Sequence, residues 1–237
     1  MTALTSEVLY RLSKSKLASF EHCPKRLWLQ IHRREEARFD PDTLARFRIG
    51  HGVGAKAQQL VPDGIMVEAV PDIQAALERT ASLLANEPSR PIFEATFQRE
   101  DVLVRADILE PDGQGGWRAI EVKASTRVKP YQLADLATQV WVMQGCGVSV
   151  TGAFIRHLAE SIMWTRPDMS AVRFRDTDVT LPIRRYLENR AAVAAAARKA
   201  IRGPEIELEM GRHCQSPFKC EFQEHCTKRR DLPLLAR

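Results

Sequence analysis

Val102-Leu103-Val104-Arg105-Ala106-Asp107-Ile108-Leu109 and Trp117-Arg118-Ala119-Ile120-Glu121-Val122-Lys123 flank Pro111-Asp112-Gly113-Gln114-Gly115-Gly116, and the reading of this stretch decides the fold. The flanking runs are strand-like, and the Asp and glycines between them suit a chain reversal, which predicts an antiparallel hairpin. With its centre near Gln114, Asp107 stands opposite Glu121, and the two-residue period of a strand puts Lys123 on the same face. Like charges directly opposite are unfavourable in a plain sheet. A hard divalent cation between the carboxylates removes that repulsion, and oxygen ligands are what Mg2+ or Mn2+ prefers. The neighbouring ammonium then suits orienting or activating a water against a phosphodiester. The same residues also fit a solvated edge carrying an ordinary surface ion pair.

Upstream, Ile92 to Phe97 reads as a third strand, with Glu94 either joining the metal site or lying on a polar strand face. Asp40-Pro41 is a cap and first-turn signal for a helix running to about Leu60. That helix contains Gly50-His51-Gly52-Val53-Gly54, and each glycine costs about 1 kcal/mol against alanine in a helix interior. The expected compensation is close backbone approach to the sheet or to a ligand, with His51 projecting beside it, although a lone helical histidine is more often structural. Pro71 is expected to start a helix whose buried face holds Ile73, Leu77 and Leu84. Ser13 or Ser15 suits the cap of a first helix with apolar Leu17 and Phe20 and, beyond Pro24, Leu27, Trp28 and Ile31.

Downstream, Tyr131 to Gln144 is predicted helical, with Leu133, Leu136, Ala137 and Val140 as the buried stripe and Gly145 at the end. Gln139 falls near the edge of that stripe, where its amide needs partners from the Lys123 region or a bound phosphate, unless it is exposed. Val148 to Ile155 and Val172 to Phe174 read as further strands, and Leu181 to Ile201 as a helix begun by Pro182 and stopped by Gly203-Pro204. This order predicts an α/β fold with a mixed sheet flanked by helices.

The chain of 237 residues, 44% of them hydrophobic, suits one sizeable domain or a domain with an appended lobe. Its formal net charge of +5 is compatible with a polyanionic partner without demanding one. The basic groups cluster at Lys14, Lys16, Lys25, Arg26, Arg33 and Arg34 and again at Lys228, Arg229 and Arg230, a pattern that solvated helix faces also produce. Neither a membrane-spanning stretch nor a signal-peptide core is present, so a cytoplasmic location and no membrane partner are expected.

An odd count of five cysteines argues against a disulfide framework. Cys214, Cys220 and Cys226 are evenly spaced, and Cys23 is the natural fourth ligand of a thiolate site. Four thiolates suit zinc or an iron-sulfur cluster, so ligand chemistry leaves both open, with His213 and His225 as alternative zinc ligands. Cys146, between Gly145 and Gly147, reads as a structural thiol.

Taken together, Leu12-Ser13-Lys14-Ser15-Lys16-Leu17, Cys23-Pro24-Lys25-Arg26-Leu27-Trp28-Leu29, Gly50-His51-x-Val53-Gly54, Arg105-Ala106-Asp107, Glu121-Val122-Lys123 and the cysteine triplet resemble the RecB-like branch of the PD-(D/E)xK nucleases. The likeness is to the iron-sulfur members, which include CRISPR-associated exonucleases and AddB-type nuclease domains, and it spans nearly the whole chain. It implies a restriction-endonuclease-like mixed sheet as the nuclease core over 36–203, with 1–35 and 204–237 forming an iron-sulfur lobe. It further implies a [4Fe-4S] cluster on Cys23, Cys214, Cys220 and Cys226, and Mg2+ or Mn2+ held by His51, Asp107, Glu121 and the Val122 carbonyl. Lys123 would position the attacking water and Gln139 would orient Lys123 or the phosphate. The implied activity is a deoxyribonuclease acting on single strands or DNA ends, with repair, recombination or CRISPR adaptation proteins as partners. A noncatalytic iron-sulfur module that binds DNA or a partner nuclease is the alternative, and a zinc-stapled regulatory protein is a third reading. One motif departs from the family pattern, since Gln139 is followed four residues later by Met143 where a tyrosine is usual.

Overall fold

The computed structural model describes residues 12–69, 72–161 and 170–230. In chain order its elements are strand β1 (Leu12–Ser13), helices α1 (Lys14–His22), α2 (Pro24–His32) and α3 (Pro41–Gln59), strand β2 (Ile65–Met66) and helix α4 (Ile73–Asn86). Strands β3 (Ile92–Arg99), β4 (Val102–Pro111) and β5 (Trp117–Lys123), helix α5 (Pro130–Gly145), and strands β6 (Val150–Leu158) and β7 (Phe174–Asp178) follow. Helices α6 (Arg184–Leu187), α7 (Arg190–Arg202) and α8 (Gln223–Arg230) complete the chain. The described residues of 12–14 and 45–190 belong to one compact unit, and those of 15–44 and 191–230 to a second.

The first unit is a mixed α/β fold. Its sheet runs β2-β3-β4-β5-β6-β7, with β1 added beside β4. The hairpin between β4 and β5 pairs Ile108 with Ile120 through to Pro111 with Trp117, which centres it on Gln114 as the sequence predicts. Its turn is held by the Asp112 carboxylate, which accepts the backbone N–H groups of Gln114 at 2.7 Å and Gly116 at 2.8 Å. Gly113 and Gly115 take φ values of 76° and 91°, a region that residues with a Cβ enter at a steric cost. Helix α5 then makes the crossover that lets β6 lie parallel to β5.

The strand period separates two faces. Phe93, Ile108 and Ile120 pack with Ala57 of α3 on one of them, and Val122 packs there with Ile49 and Val53. Asp107, Glu121 and Lys123 alternate with these residues and point to the other face, which α5 covers. From Leu136 to Met143 every residue of α5 is buried, so it reads as a helix apolar nearly all round rather than as a surface helix with one stripe. Gln139 is therefore at 1% exposure, inside the core and not at its edge.

Several elements differ from expectation. Gly50 and Gly54 have open space where a Cβ would stand, so close approach does not explain them, and nothing else in the structure does. Helix α4 begins at an Asp72 cap, whose carboxylate accepts the Ala75 N–H at 2.8 Å, and buries Ala76, Thr80 and Leu83; the expected start at Pro71 lies outside the described residues. The helix expected over 181–201 is broken into α6 and α7. At the break Arg190, 2% exposed, turns its Nε onto the Tyr186 carbonyl at 3.0 Å. Strand β7 starts later than expected because it is a charged edge: Asp176 receives a two-pronged bond from Arg156 at 2.8 and 2.7 Å, and its sequence lacks apolar alternation.

The second unit gathers α1 beyond Lys14, α2, α7, α8 and the loop before α8. Leu29 and Phe222 form its buried centre with Cys220. Glu221, 5% exposed, accepts Arg26 Nε at 2.9 and 3.1 Å and Gln30 Nε2 at 2.8 Å, which fastens α2 to the C-terminal segment. Among the described residues no helix is long and apolar enough to cross a membrane.

Candidate active site

The β4–β5 ladder stops at Ile108 and Ile120. One position further the Asp107 carboxylate accepts the Val122 N–H at 2.7 Å, taking a donor that a neighbouring strand carbonyl would otherwise use. The edge of β4 that β5 leaves is taken up again by β1, at Val102 and Leu103. Between Leu103 and Ile108 that edge is interrupted, and the N–H and C=O of Val122 both face the gap, because the two groups of one strand residue point to the same edge.

Four chain segments deliver polar groups there. Lys14 follows β1 directly, and its Nζ donates to both Glu121 oxygens, at 2.8 and 2.9 Å. Lys123 Nζ lies 2.7 Å from Glu121 Oε1 and 3.1 Å from Asp135 Oδ2 of α5. Gln139 Nε2 donates to Glu121 Oε2 from one turn further along α5. The Glu121 side chain is 2% exposed, and charge-assisted bonds of this kind are what make such burial tolerable.

The environment drives the two carboxyls apart. Burial alone would raise the Glu121 carboxyl, but the ammonium groups of Lys123 and Lys14 outweigh it and hold Glu121 well below the usual carboxylate range. Asp107 is pushed up to about 7, first by burial and then by the charge on Glu121, against the opposing pull of Lys14 and Lys123. Burial also raises Asp135. For Lys123 and Lys14 the desolvation that would lower them is overcome by Glu121 foremost, so both stay charged. One carboxylate locked in its ionised form beside another titrating near neutrality is the kind of division that separates fixed from proton-exchanging roles in a site.

Of the residues expected at this site, Asp107, Glu121, Lys123, Gln139 and the Val122 backbone come together. His51 does not. It lies on the exposed side of α3, turned away from Ile49, Val53 and Ala57, and α3 packs on the sheet face opposite to the carboxylates. The spacing that places Val53 in the core necessarily turns His51 outward. Glu94 pairs instead with Arg105 at 3.5 Å and accepts from Gln58 at 3.3 Å, and at its φ of 54° the β3–β4 pairing skips the position opposite Asp107. Among the described residues no three His, Cys, Asp or Glu side chains are arranged to hold a metal ion. Two carboxylates are nevertheless a donor set that Mg2+ accepts, since it completes its shell with waters and substrate phosphate oxygens.

Two residues of the site were not expected. Asp135 stands one turn before Gln139, a spacing that shares a helix face and was readable in the sequence. Lys14 carried only a faint signal, a cation in the first turn of a helix, where the macrodipole disfavours it.

In the second unit Cys23, Cys214, Cys220 and Cys226 line one small cavity together with His22 and His213. Cys23 is the extended residue just before Pro24, and the Cys220 N–H bonds the Cys214 carbonyl at 3.0 Å. Burial raises the thiols of Cys23 and Cys226 and pushes Cys220 up to about 11, with neighbouring cysteines adding to each shift. Such thiols stay protonated unless a cation compensates them, which is the chemistry a metal or an iron-sulfur cluster supplies. His225 is held by Glu205 at 3.3 Å, the carboxylate that also pairs with Lys25. Cys146 is exposed on the first unit and bonds the Gln98 carbonyl at 3.2 Å. Of the basic cluster, Lys14 and Arg26 are committed to buried carboxylates and Lys25 to the partly buried Glu205, Arg33 and Arg34 are exposed, and the side chains of Arg229 and Arg230 lie outside the described residues.

No family model matches the chain. No curated protein matches it. Among solved structures it resembles the crystal structure of SSO0001 at 14% identity and a TM-score of 0.38, over 86% of this chain and 82% of that one, a likeness too loose to bear on fold or function.

Proposed function

We propose that this chain is a metal-dependent deoxyribonuclease of the RecB-like PD-(D/E)xK type, with a restriction-endonuclease-like core, acting on single strands or DNA ends. The observation that carries the reading is the convergence of Asp107, Glu121, Lys123 and Gln139 at the point where β4 and β5 part. Asp107, Glu121 and the Val122 carbonyl are the groups that would hold Mg2+ or Mn2+, and His51 is withdrawn from that set. The bound ion would supply Lewis-acid polarisation of the phosphoryl oxygen and a more acidic water. Lys123, braced between Glu121 and Asp135, places a fixed positive charge where negative charge develops on the phosphate. Gln139 fixes the rotation of the Glu121 carboxylate.

Cys23, Cys214, Cys220 and Cys226 are not drawn together as a finished ligand set, and it is their shared cavity and the sequence resemblance that support a structural [4Fe-4S] cluster in the second unit, with zinc as the competing occupant. Iron and sulfide analysis of anaerobically purified protein separates the two. The nuclease reading is tested with end-labelled single- and double-stranded DNA and Mn2+, comparing wild type with Glu121→Ala and Lys123→Ala. Cleavage by wild type and a loss of at least about a hundredfold in either variant is the expected result, in line with removal of one electrostatic group. Uncut DNA, or cleavage that survives Glu121→Ala, overturns it in favour of a noncatalytic DNA-binding module.

A further inference from the structure

Glu121 has its lone pairs fully taken. A carboxylate offers about four acceptor sites. Oε1 meets Lys14 at 2.8 Å and Lys123 at 2.7 Å, while Oε2 meets Lys14 at 2.9 Å and Gln139. A metal ion cannot ligate this side chain until one of those donors leaves.

The three donors are not equally held. Gln139 lies in the body of a buried helix at 1% exposure. Lys123 keeps a second carboxylate, Asp135, at 3.1 Å. Lys14 spends both of its hydrogen bonds on Glu121, follows a two-residue strand, and sits in the first helical turn, where the dipole repels a cation. Its side chain is 22% exposed against 21% for Lys123, so what separates the two is the second carboxylate bond that Lys14 lacks. Withdrawing Lys14 opens one position on each Glu121 oxygen, next to the Asp107 carboxylate and the edge faced by the Val122 carbonyl.

We propose that Lys14 is a displaceable internal cation that occupies Glu121 in the metal-free protein and must be released before a divalent ion binds. The proposal rests on the nuclease reading in one respect, that Asp107 and Glu121 form the metal site. It adds a threshold, because part of the metal's binding energy is spent on expelling Lys14. The metal concentration at which the protein loads is thus set by a residue that is not a metal ligand.

The test reads metal binding directly. The 237-residue protein as purified is titrated with Mn2+ and the unbound ion is followed by electron paramagnetic resonance. Lys14→Met is expected to half-saturate at roughly tenfold lower Mn2+ than wild type, the low end of what a hydrogen bond to a charged group is worth. Asp107→Asn and Glu121→Gln are expected to bind more weakly than wild type. If they do and Lys14→Met is unchanged or weaker, the Lys14 proposal is overturned while the metal site stands. If they bind as well as wild type, the metal site fails and both readings fall with it. If Lys14→Met tightens Mn2+ binding yet wild type leaves DNA uncut, the displacement is supported and the nuclease reading is lost. A wild-type measurement covers the case in which the variant does not fold: amine acylation mapped by mass spectrometry should label Lys14 several-fold faster with Mg2+ than without. Equal protection in both conditions overturns the proposal.

Discussion

Replacing Glu121 by Gln keeps the side-chain shape and removes the charge that two ammonium groups share. Lys14 and Lys123 approach that carboxylate to 2.8 and 2.7 Å, and the Glu121 side chain is 2% exposed. Breaking a buried ion pair by removing one partner costs about 3–5 kcal/mol, because the remaining charge is left uncompensated. Both lysine side chains are about a fifth exposed, at 22% and 21%, so water recovers part of the loss, and Lys123 retains Asp135. The expected destabilisation is therefore about 3 kcal/mol, at the low end of that range. Urea unfolding at pH 7 with chelator present, followed by circular dichroism, measures it. Adding Lys14→Met to Glu121→Gln removes one stranded ammonium and should restore about 1–2 kcal/mol, so the two changes are strongly non-additive. A single-variant loss below about 1 kcal/mol, or additivity within about 0.5 kcal/mol, refutes the claim that the Glu121 charge gathers the lysines.

Asp107 predicts a pH effect of opposite sign to that of Glu121. Its carboxyl is pushed up to about 7 from an ordinary 3.8, so between those values the folded chain binds the extra proton and stability falls as pH rises; Asp107→Asn should abolish that fall in unfolding measurements from pH 4 to 8. Glu121 is depressed from 4.5, so its contribution is complete above that value and is lost as pH drops through its lowered folded value, a loss that Glu121→Gln should remove from the acid limb. Gly50→Ala and Gly54→Ala meet open space and should each stabilise the protein by about 0.5–1 kcal/mol, measured by urea unfolding; a destabilisation would reveal a role for the bare backbone. In the second unit Arg26→Met leaves Glu221, whose side chain is 3% exposed, without its guanidinium and should cost about 3 kcal/mol; retention of wild-type stability would show that the Arg26 bond does not hold α2 to the C-terminal segment.

The hairpin was legible because its determinants are local. Asp112 and two glycines at left-handed φ fix the turn, and the turn fixes the register that brings Asp107 and Glu121 together just past the end of the ladder. Gln139 was found as a residue and misread as an edge position, since its burial depends on α6 and the sheet enclosing α5 from both sides. His51 was misplaced for a related reason. A glycine-rich stretch signals that the chain tolerates an exception without saying which side of the helix uses it, and the apolar spacing of Ile49, Val53 and Ala57 settles that side. Lys14 is 107 residues from Glu121, and its place depends on β1 pairing with β4 at a site that two strand residues do not announce.

The opposition of Asp107 and Glu121 first suggested a metal because two facing carboxylates repel. The structure answers that repulsion in another way. The strands part, Asp107 turns to a backbone N–H and carries a raised pKa, and two lysines neutralise Glu121. Repulsion alone therefore no longer argues for a metal, since the fold relieves it unaided. What argues for chemistry is the form of the relief. A purely structural ion pair needs one lysine, and an apolar pair of similar volume would often serve as well. Here two partly buried lysines, a buried amide and a carboxyl raised toward neutrality are concentrated at an interrupted strand edge. An arrangement that opposes its own burial and places exchangeable protons and fixed charge beside one another is better suited to acting on a charged substrate than to holding a sheet together.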